Sequence, residues 1–163
     1  MFEIRLAGSM DIPKILNVLE DAAKWQVRTD RLNQWDTSKF TADWLQESVD
    51  RKEIVVAHDQ ENVVGSIMYS ERISDAWAGA KGSGLYLSKL GVLREWASKG
   101  VGEGLLRWCD IHAAKARLTA VRFDCPDSEG FINYYLRQQY LLRGRGSRGY
   151  YRYVLFEKLL EEI

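Results

Sequence analysis

Apolar residues along this chain follow two rhythms, one with a period of three to four and one close to two, and together they lay out most of its elements. In "DIPKILNVLEDAA" the positions Ile12, Ile15, Leu19 and Ala22 or Ala23 recur at helical spacing. The spacing predicts an amphipathic helix with Asp11 as cap, Pro13 in the first turn and an end near Arg28. "TADWLQESVDR" reads as a second, shorter helix capped by Thr41, and the polar, tryptophan-bearing "TDRLNQWDTSKF" lies between the two. "FEIRL" before them is a short first strand. "EIVVAHD" and "NVVGSIMYS" are β-rich runs joined by a turn at "DQEN", and "LYLSKLGV" is a further inner strand after a Gly/Ala/Ser-rich loop from Ala76 to Gly84. A helix from Gly100 to about Arg117, a strand "TAVRFDC", a helix "SEGFINYYLRQ" and two terminal strands around a loop "RGRGSRG" complete the chain. The order β-α-α-β-β-β-α-β-α-β-β mixes hairpins with crossovers, so the fold class is α/β, a mixed sheet flanked by helices.

At 163 residues the chain has the length of one domain, and no linker or repeat divides residues 1–163. Its 23 basic and 23 acidic residues cancel, which gives no overall pull toward nucleic acid or lipid. Cys109 and Cys125 are too few for a disulfide framework and read as core thiols of a reducing compartment. His58 and His112 lack neighbours that would suggest catalysis, and no metal site is expected. The opening residues interleave charges with apolar positions, and no run reaches membrane-span length, so a cytoplasmic location without membrane attachment is the expectation. Arg143, Arg145, Arg148 and Arg152 form a basic stretch that could contact RNA, although the glycines and serine between them favour a solvated turn. Trp25, Trp35, Trp44, Trp77 and Trp96 read first as core or loop anchors and second as walls of a ligand pocket, while Trp108 shares a helical face with Val101 and Leu105 and belongs to the core.

The chemistry concentrates in "ASKGVGEGLL", where three glycines at alternate positions open a helix. First-turn amides have no intrahelical acceptor and lie at the positive end of the helix dipole, so glycine there lets an anion, above all a phosphate, approach closely. A P-loop would need Gly-Lys-Ser/Thr, but Leu105 and Leu106 follow Gly104. A dinucleotide fingerprint would need a third glycine where Leu105 stands.

The longer segment "LGVLREWASKGVGEGLL" resembles the acetyl-CoA pyrophosphate loop of the GCN5-related N-acetyltransferase (GNAT) superfamily. Val92 ends the strand, Trp96 takes the aromatic place and Gly100-Val101-Gly102 form the glycine core. Two positions depart from the pattern: Ala97 stands at an Arg/Gln position and Ser98 at a common glycine, with Lys99 as a substitute charge. Downstream, "NYYLRQQY" resembles the family's later motif, Tyr134-Tyr135 matching its hydrophobic-Tyr pair and Gln139-Tyr140 replacing Gly-Phe.

The resemblance implies a GNAT-type fold over residues 1–163, with a mostly antiparallel mixed sheet and about four helices, and acetyl-CoA as cosubstrate with coenzyme A as product. It places acetyl-CoA against Leu90, Gly91 and Val92, the loop residues Ala97, Ser98, Lys99, Gly100, Val101, Gly102 and Glu103, and Ser128. Tyr135 would protonate the departing thiolate. The acceptor would be a primary amine, most simply of a small molecule, and a homodimer stays open. No acid lies on "LYLSKLGV", so Glu71, Asp75 or a water chain to bulk is left as the base. The alternative from another class is a catalytically silent acyl-CoA-binding module that regulates a protein partner.

Overall fold

The structure, a computed structural model, describes residues 1–28 and 35–160. Residues 29–34 of the tryptophan-bearing stretch and 161–163 of the acidic end "EKLLEEI" lie outside the described residues. Strands β1 (Glu3–Leu6), β2 (Ile54–Asp59), β3 (Asn62–Ser70), β4 (Gly84–Val92), β5 (Ala120–Pro126), β6 (Leu141–Arg148) and β7 (Tyr151–Leu159) form a sheet in the order β1-β2-β3-β4-β5-β7-β6. Helices α1 (Ile12–Arg28), α2 (Ala42–Asp50), α3 (Val101–Lys115) and α4 (Glu129–Arg137) are inserted between strands. The β4–β5 pair is parallel, whereas β1–β2, β2–β3, β5–β7 and β6–β7 are antiparallel, which makes the sheet the mixed one expected.

The chain divides into two compact units, Met1–Tyr69 with Lys89–Trp108 and Ser70–Ser88 with Cys109–Ile163. In the first, the apolar stripe of α1 (Ile15, Val18, Leu19) packs with Leu45 of α2 and with Ile54 and Val56 of β2, all of them buried. Each such side chain contributes roughly 1.5–3 kcal/mol by leaving water, and that burial, more than helix propensity, fixes α1 on the sheet. Thr41 caps α2 as expected, its Oγ1 accepting from the Trp44 amide at 3.2 Å. Asp11 acts differently from the expected cap of α1: its carboxylate accepts from the Gly8 amide at 2.8 Å and from both terminal nitrogens of Arg5 at 2.7 and 3.0 Å. The Arg5 bonds hold this carboxyl below its ordinary range. Gly65 on β3 is a close-approach position, since a Cβ there would come within 2.7 Å of Val101 Cγ1, and its absence lets the start of α3 settle on the strand.

The second unit is built on β5, β7 and β6 with α4. Phe123 forms its aromatic centre, with ring centroids 4.5 Å from Tyr135, 4.9 Å from Tyr140 and 5.7 Å from Phe156. Cys109 and Cys125 are free and buried, and burial first, then nearby carboxylates, pushes both thiols up, so they are the core thiols expected.

Three expectations change. The "RGRGSRG" loop is strand through Arg148, and the turn falls at Gly149 and Tyr150. Pairing with β7 supplies the order that the sequence pattern there does not, and the ring of Tyr153 lies over Gly146. The arginines of that stretch lie on strands instead of in a turn and stay exposed: Arg143 Nε is 3.0 Å from Glu157 Oε1, Arg145 Nε is 3.3 Å from Asp127 Oδ2, and Arg148 lies over Tyr153. Trp108 is half-buried against Tyr69, at 5.8 Å, rather than enclosed. Among the described residues no helix is long and apolar enough to cross a membrane, and no cluster of three His, Cys, Asp or Glu could hold a metal.

Candidate functional site

The first unit carries the glycine-rich stretch on a short, firmly held connection. β4 ends at Val92, and the Leu93 amide then donates to Val64 O on β3 at 2.9 Å. Because consecutive residues of a strand direct their backbone groups to opposite edges, the amides and carbonyls of Leu90 and Val92 face away from β3. Gly91 faces α1, where a Cβ would come within 3.2 Å of Val18 Cγ1. One helical turn of the tighter kind, Arg94–Trp96, follows, with Trp96 N bonded to Leu93 O at 2.8 Å and Ala97 N to Arg94 O at 3.1 Å.

The backbone then takes two left-handed residues, Ser98 at φ +62° and Gly100 at φ +83°. Gly100 O accepts the first intrahelical bond, from Gly104 N at 3.0 Å, so the amides of Val101, Gly102 and Glu103 make up the first turn that the helix itself leaves without acceptors. A Cβ at Gly100 would meet no atom within 4 Å, so the space beside this glycine is open. Val101 and Gly102 are buried while Ser98 and Lys99 are exposed. The Lys99 ammonium lies 5.0 Å from the centroid of the Trp96 ring. Open space, a positive dipole end and a glycine that removes the steric barrier fit a pyrophosphate group.

Ser98 is informative. It stands where the resembled pattern has glycine, and it keeps the left-handed conformation that glycine adopts at least cost. Gln139, standing for the glycine of the later motif, does the same at φ +71°. Both residues thus take the left-handed φ that glycine favours.

In the second unit, β4 and β5 pair over just three positions, Gly84 with Ala120, Leu85 with Val121 and Tyr86 with Arg122, although β4 runs on to Val92 and β5 to Pro126. Ser128 precedes α4 in extended conformation (φ −140°, ψ 146°) but does not cap it, and its hydroxyl is buried without a hydrogen-bond partner. An unmet buried hydroxyl costs about 1–3 kcal/mol, which a ligand hydrogen bond would recover, and so Ser128 also fits a bound arm. Tyr135 on α4 is 8% exposed. Burial first, then the Cys125 thiol and Tyr134, holds its phenol well above the ordinary tyrosine range, so it stays protonated at neutral pH. Glu71 and Asp75 are exposed on the segment after β3.

Three features escaped sequence reasoning. Lys89 takes φ +55° within β4, a local kink with no marker in "LSKLG". Arg94 donates from Nη2 to Val92 O at 3.0 Å while its guanidinium lies 4.3 Å from the centroid of Trp25. Arg122, 4% exposed, is bound to Glu157, Tyr86 and Lys81 O at 2.8, 3.0 and 2.6 Å. Only an arginine in the apolar run "TAVRFDC" hinted at this network, and its partner lies 35 residues away.

The profile of the acetyltransferase (GNAT) family matches residues 17–140. An uncharacterized N-acetyltransferase of Bacillus subtilis, YesJ, is 29% identical over 157 residues, 91% of this chain and 84% of that protein. Among solved structures, the PaiA N-acetyltransferase of Thermoplasma acidophilum in complex with coenzyme A superimposes with a TM-score of 0.80 at 17% identity, covering 98% of this chain and 99% of that one. YncA, a putative acetyltransferase of Salmonella typhimurium solved with acetyl-CoA, gives 0.77 at 14% identity, covering 100% and 96%. At these identities the two structures establish a shared fold.

Proposed function

The chain belongs to the acetyltransferase (GNAT) family, and on that premise we propose that residues 1–163 act as one acetyltransferase domain that moves the acetyl group of acetyl-CoA to a primary amine of a small molecule. The observation that carries the reading is the start of α3, entered through the left-handed Ser98 and Gly100 with open space beside Gly100. The complexes of PaiA with coenzyme A and of YncA with acetyl-CoA support the same cosubstrate here.

In this reading the amides of Val101, Gly102 and Glu103 receive the pyrophosphate, Ser98 and Lys99 line its approach, and Ala97 keeps the path clear. Leu90 and Val92 offer backbone groups along β4 to the pantetheine arm, and the Ser128 hydroxyl gives it a further hydrogen bond. A backbone donor aimed at the thioester oxygen stabilises the charge that develops there. An alkyl ammonium of pKa about 10.4 first gives one proton to Glu71, Asp75 or a water chain. The neutral amine then attacks the acetyl carbon directly: the C–N bond forms, the C–S bond breaks, Tyr135 gives its proton to the sulfur, and the second proton of the nitrogen returns through water to Tyr135.

Thiol release from acetyl-CoA, measured against polyamines, aminoglycosides, amino acids and peptides, tests the proposal. At least one amine should yield free thiol and acetylated product in equal amounts. Acetyl-CoA binding with no release from any amine would overturn the enzyme reading in favour of a silent acyl-CoA-binding module.

A further inference from the structure

Arg94 holds the end of β4 in three ways at once. Its guanidinium donates from Nη2 to Val92 O at 3.0 Å, the same group lies 4.3 Å from the centroid of Trp25 on α1, and its backbone amide donates to Asp21 Oδ2, also on α1, at 2.9 Å. No proline stiffens the path from Val92 to Gly100, so the connection owes its shape to these contacts and to the bonds Trp96 N to Leu93 O and Ala97 N to Arg94 O. Val92 directs its carbonyl away from β3, to the edge along which a pantetheine arm would run. On that edge the Val92 carbonyl already accepts from a guanidinium, whose positive charge repels a second donor and attracts an acceptor.

We propose that Arg94 is a positioning residue for the coenzyme arm: by capping the Val92 carbonyl it turns the end of β4 into a donor edge, so that the arm presents a carbonyl oxygen to the Val92 amide and no N–H to the Val92 carbonyl. The contact with Trp25 and the Asp21 bond tie this edge to α1. The proposal rests on the acetyl-CoA reading above. It differs from a phosphate-binding role, since this guanidinium is engaged at the strand end and on the Trp25 ring. Lysine cannot replace it, because an ammonium has neither the planar face for Trp25 nor the fork that reaches Val92 O at the same time.

Calorimetry on the full chain with two probes tests this: acetyl-CoA, and the adenosine bisphosphate fragment of coenzyme A that lacks the arm. Arg94→Ala should bind acetyl-CoA about tenfold more weakly and Arg94→Lys at least about threefold more weakly, with both variants binding the fragment as the parent does. Equal weakening for both probes would overturn the proposal by showing that Arg94 only keeps the phosphate loop in place, and unchanged acetyl-CoA affinity in a folded variant would overturn it outright. If Arg94→Ala does not fold, the lysine variant decides by the same two probes. Absence of acetyl-CoA binding by the parent chain would contradict the cosubstrate reading, and this proposal with it.

Discussion

Tyr135→Phe is expected to lower the turnover number roughly a hundredfold on the best amine found, while acetyl-CoA affinity and the fold stay close to those of the parent. The substitution keeps the ring, and the ring is what packs: its centroid lies 4.5 Å from Phe123, 5.1 Å from Tyr134 and 5.6 Å from Phe156. What is deleted is a hydroxyl that burial keeps protonated. A free thiol has a pKa of about 8.5, so a thiolate can leave unaided, but it leaves faster when a hydrogen bond meets the sulfur as the C–S bond stretches. Tyr134→Phe on the adjacent residue is the matched control and should be nearly silent. If the two variants behave alike, or if Tyr135→Phe keeps more than about half the parental rate with chemistry limiting, Tyr135 serves packing alone and the proton has another source.

Glu157→Ala is expected to cost about 3–5 kcal/mol of stability, because it leaves the buried Arg122 guanidinium without its carboxylate, held only by the neutral Tyr86 hydroxyl and Lys81 carbonyl. Arg122 and Glu157 are 4% and 8% exposed, and their bond of 2.8 Å offsets the cost of burying both charges. Burial by itself would lower the pKa of Arg122, but the bonds to Glu157 and Tyr86 outweigh it, so the group stays charged. The reverse truncation is milder. After Arg122→Met the carboxylate still pairs with Arg143 Nε at 3.0 Å, so the loss should be clearly smaller. The network reaches function through Lys81 O and through Trp77, whose ring lies under Arg122 and whose Nε1 donates to Phe123 O at 3.3 Å. These bonds fasten the segment between β3 and β4 that carries Glu71 and Asp75. At roughly 2–4 °C per kcal/mol for a chain of this size, thermal unfolding of the two variants separates them easily. A loss under about 1 kcal/mol for Glu157→Ala would mean that water reaches the pair.

The sequence showed those parts of the fold whose cause is local. The stripe from Ile12 to Ala23 repeats at helical spacing because one face of α1 lies on the sheet, and Thr41 is a cap whose bond stays within three residues. The length of β6 was illegible for the opposite reason. Arginine, glycine and serine have little strand preference, and "RGRGSR" is ordered by β7, a partner that only the folded chain supplies. At the site, Gly100 was readable because its left-handed φ of +83° appears directly as glycine. Ser98 and Gln139 hid the same need behind side chains, and only their φ angles of +62° and +71° reveal it. Arg94 looked like one more loop charge. Its partners are Val92, two residues back, and Asp21 and Trp25, some seventy residues away, and nothing in the spacing joins them.

If acetyl-CoA binds with its pyrophosphate on the first turn of α3, calorimetry of acetyl-CoA on the parent chain and on Gly102→Val will show it. The parent should bind, and the variant, shown to be folded by circular dichroism, should bind at least about tenfold more weakly, a loss of about 1.4 kcal/mol, because a branched side chain stands between the phosphates and the amides. Equal affinity in the folded variant would place the pyrophosphate elsewhere.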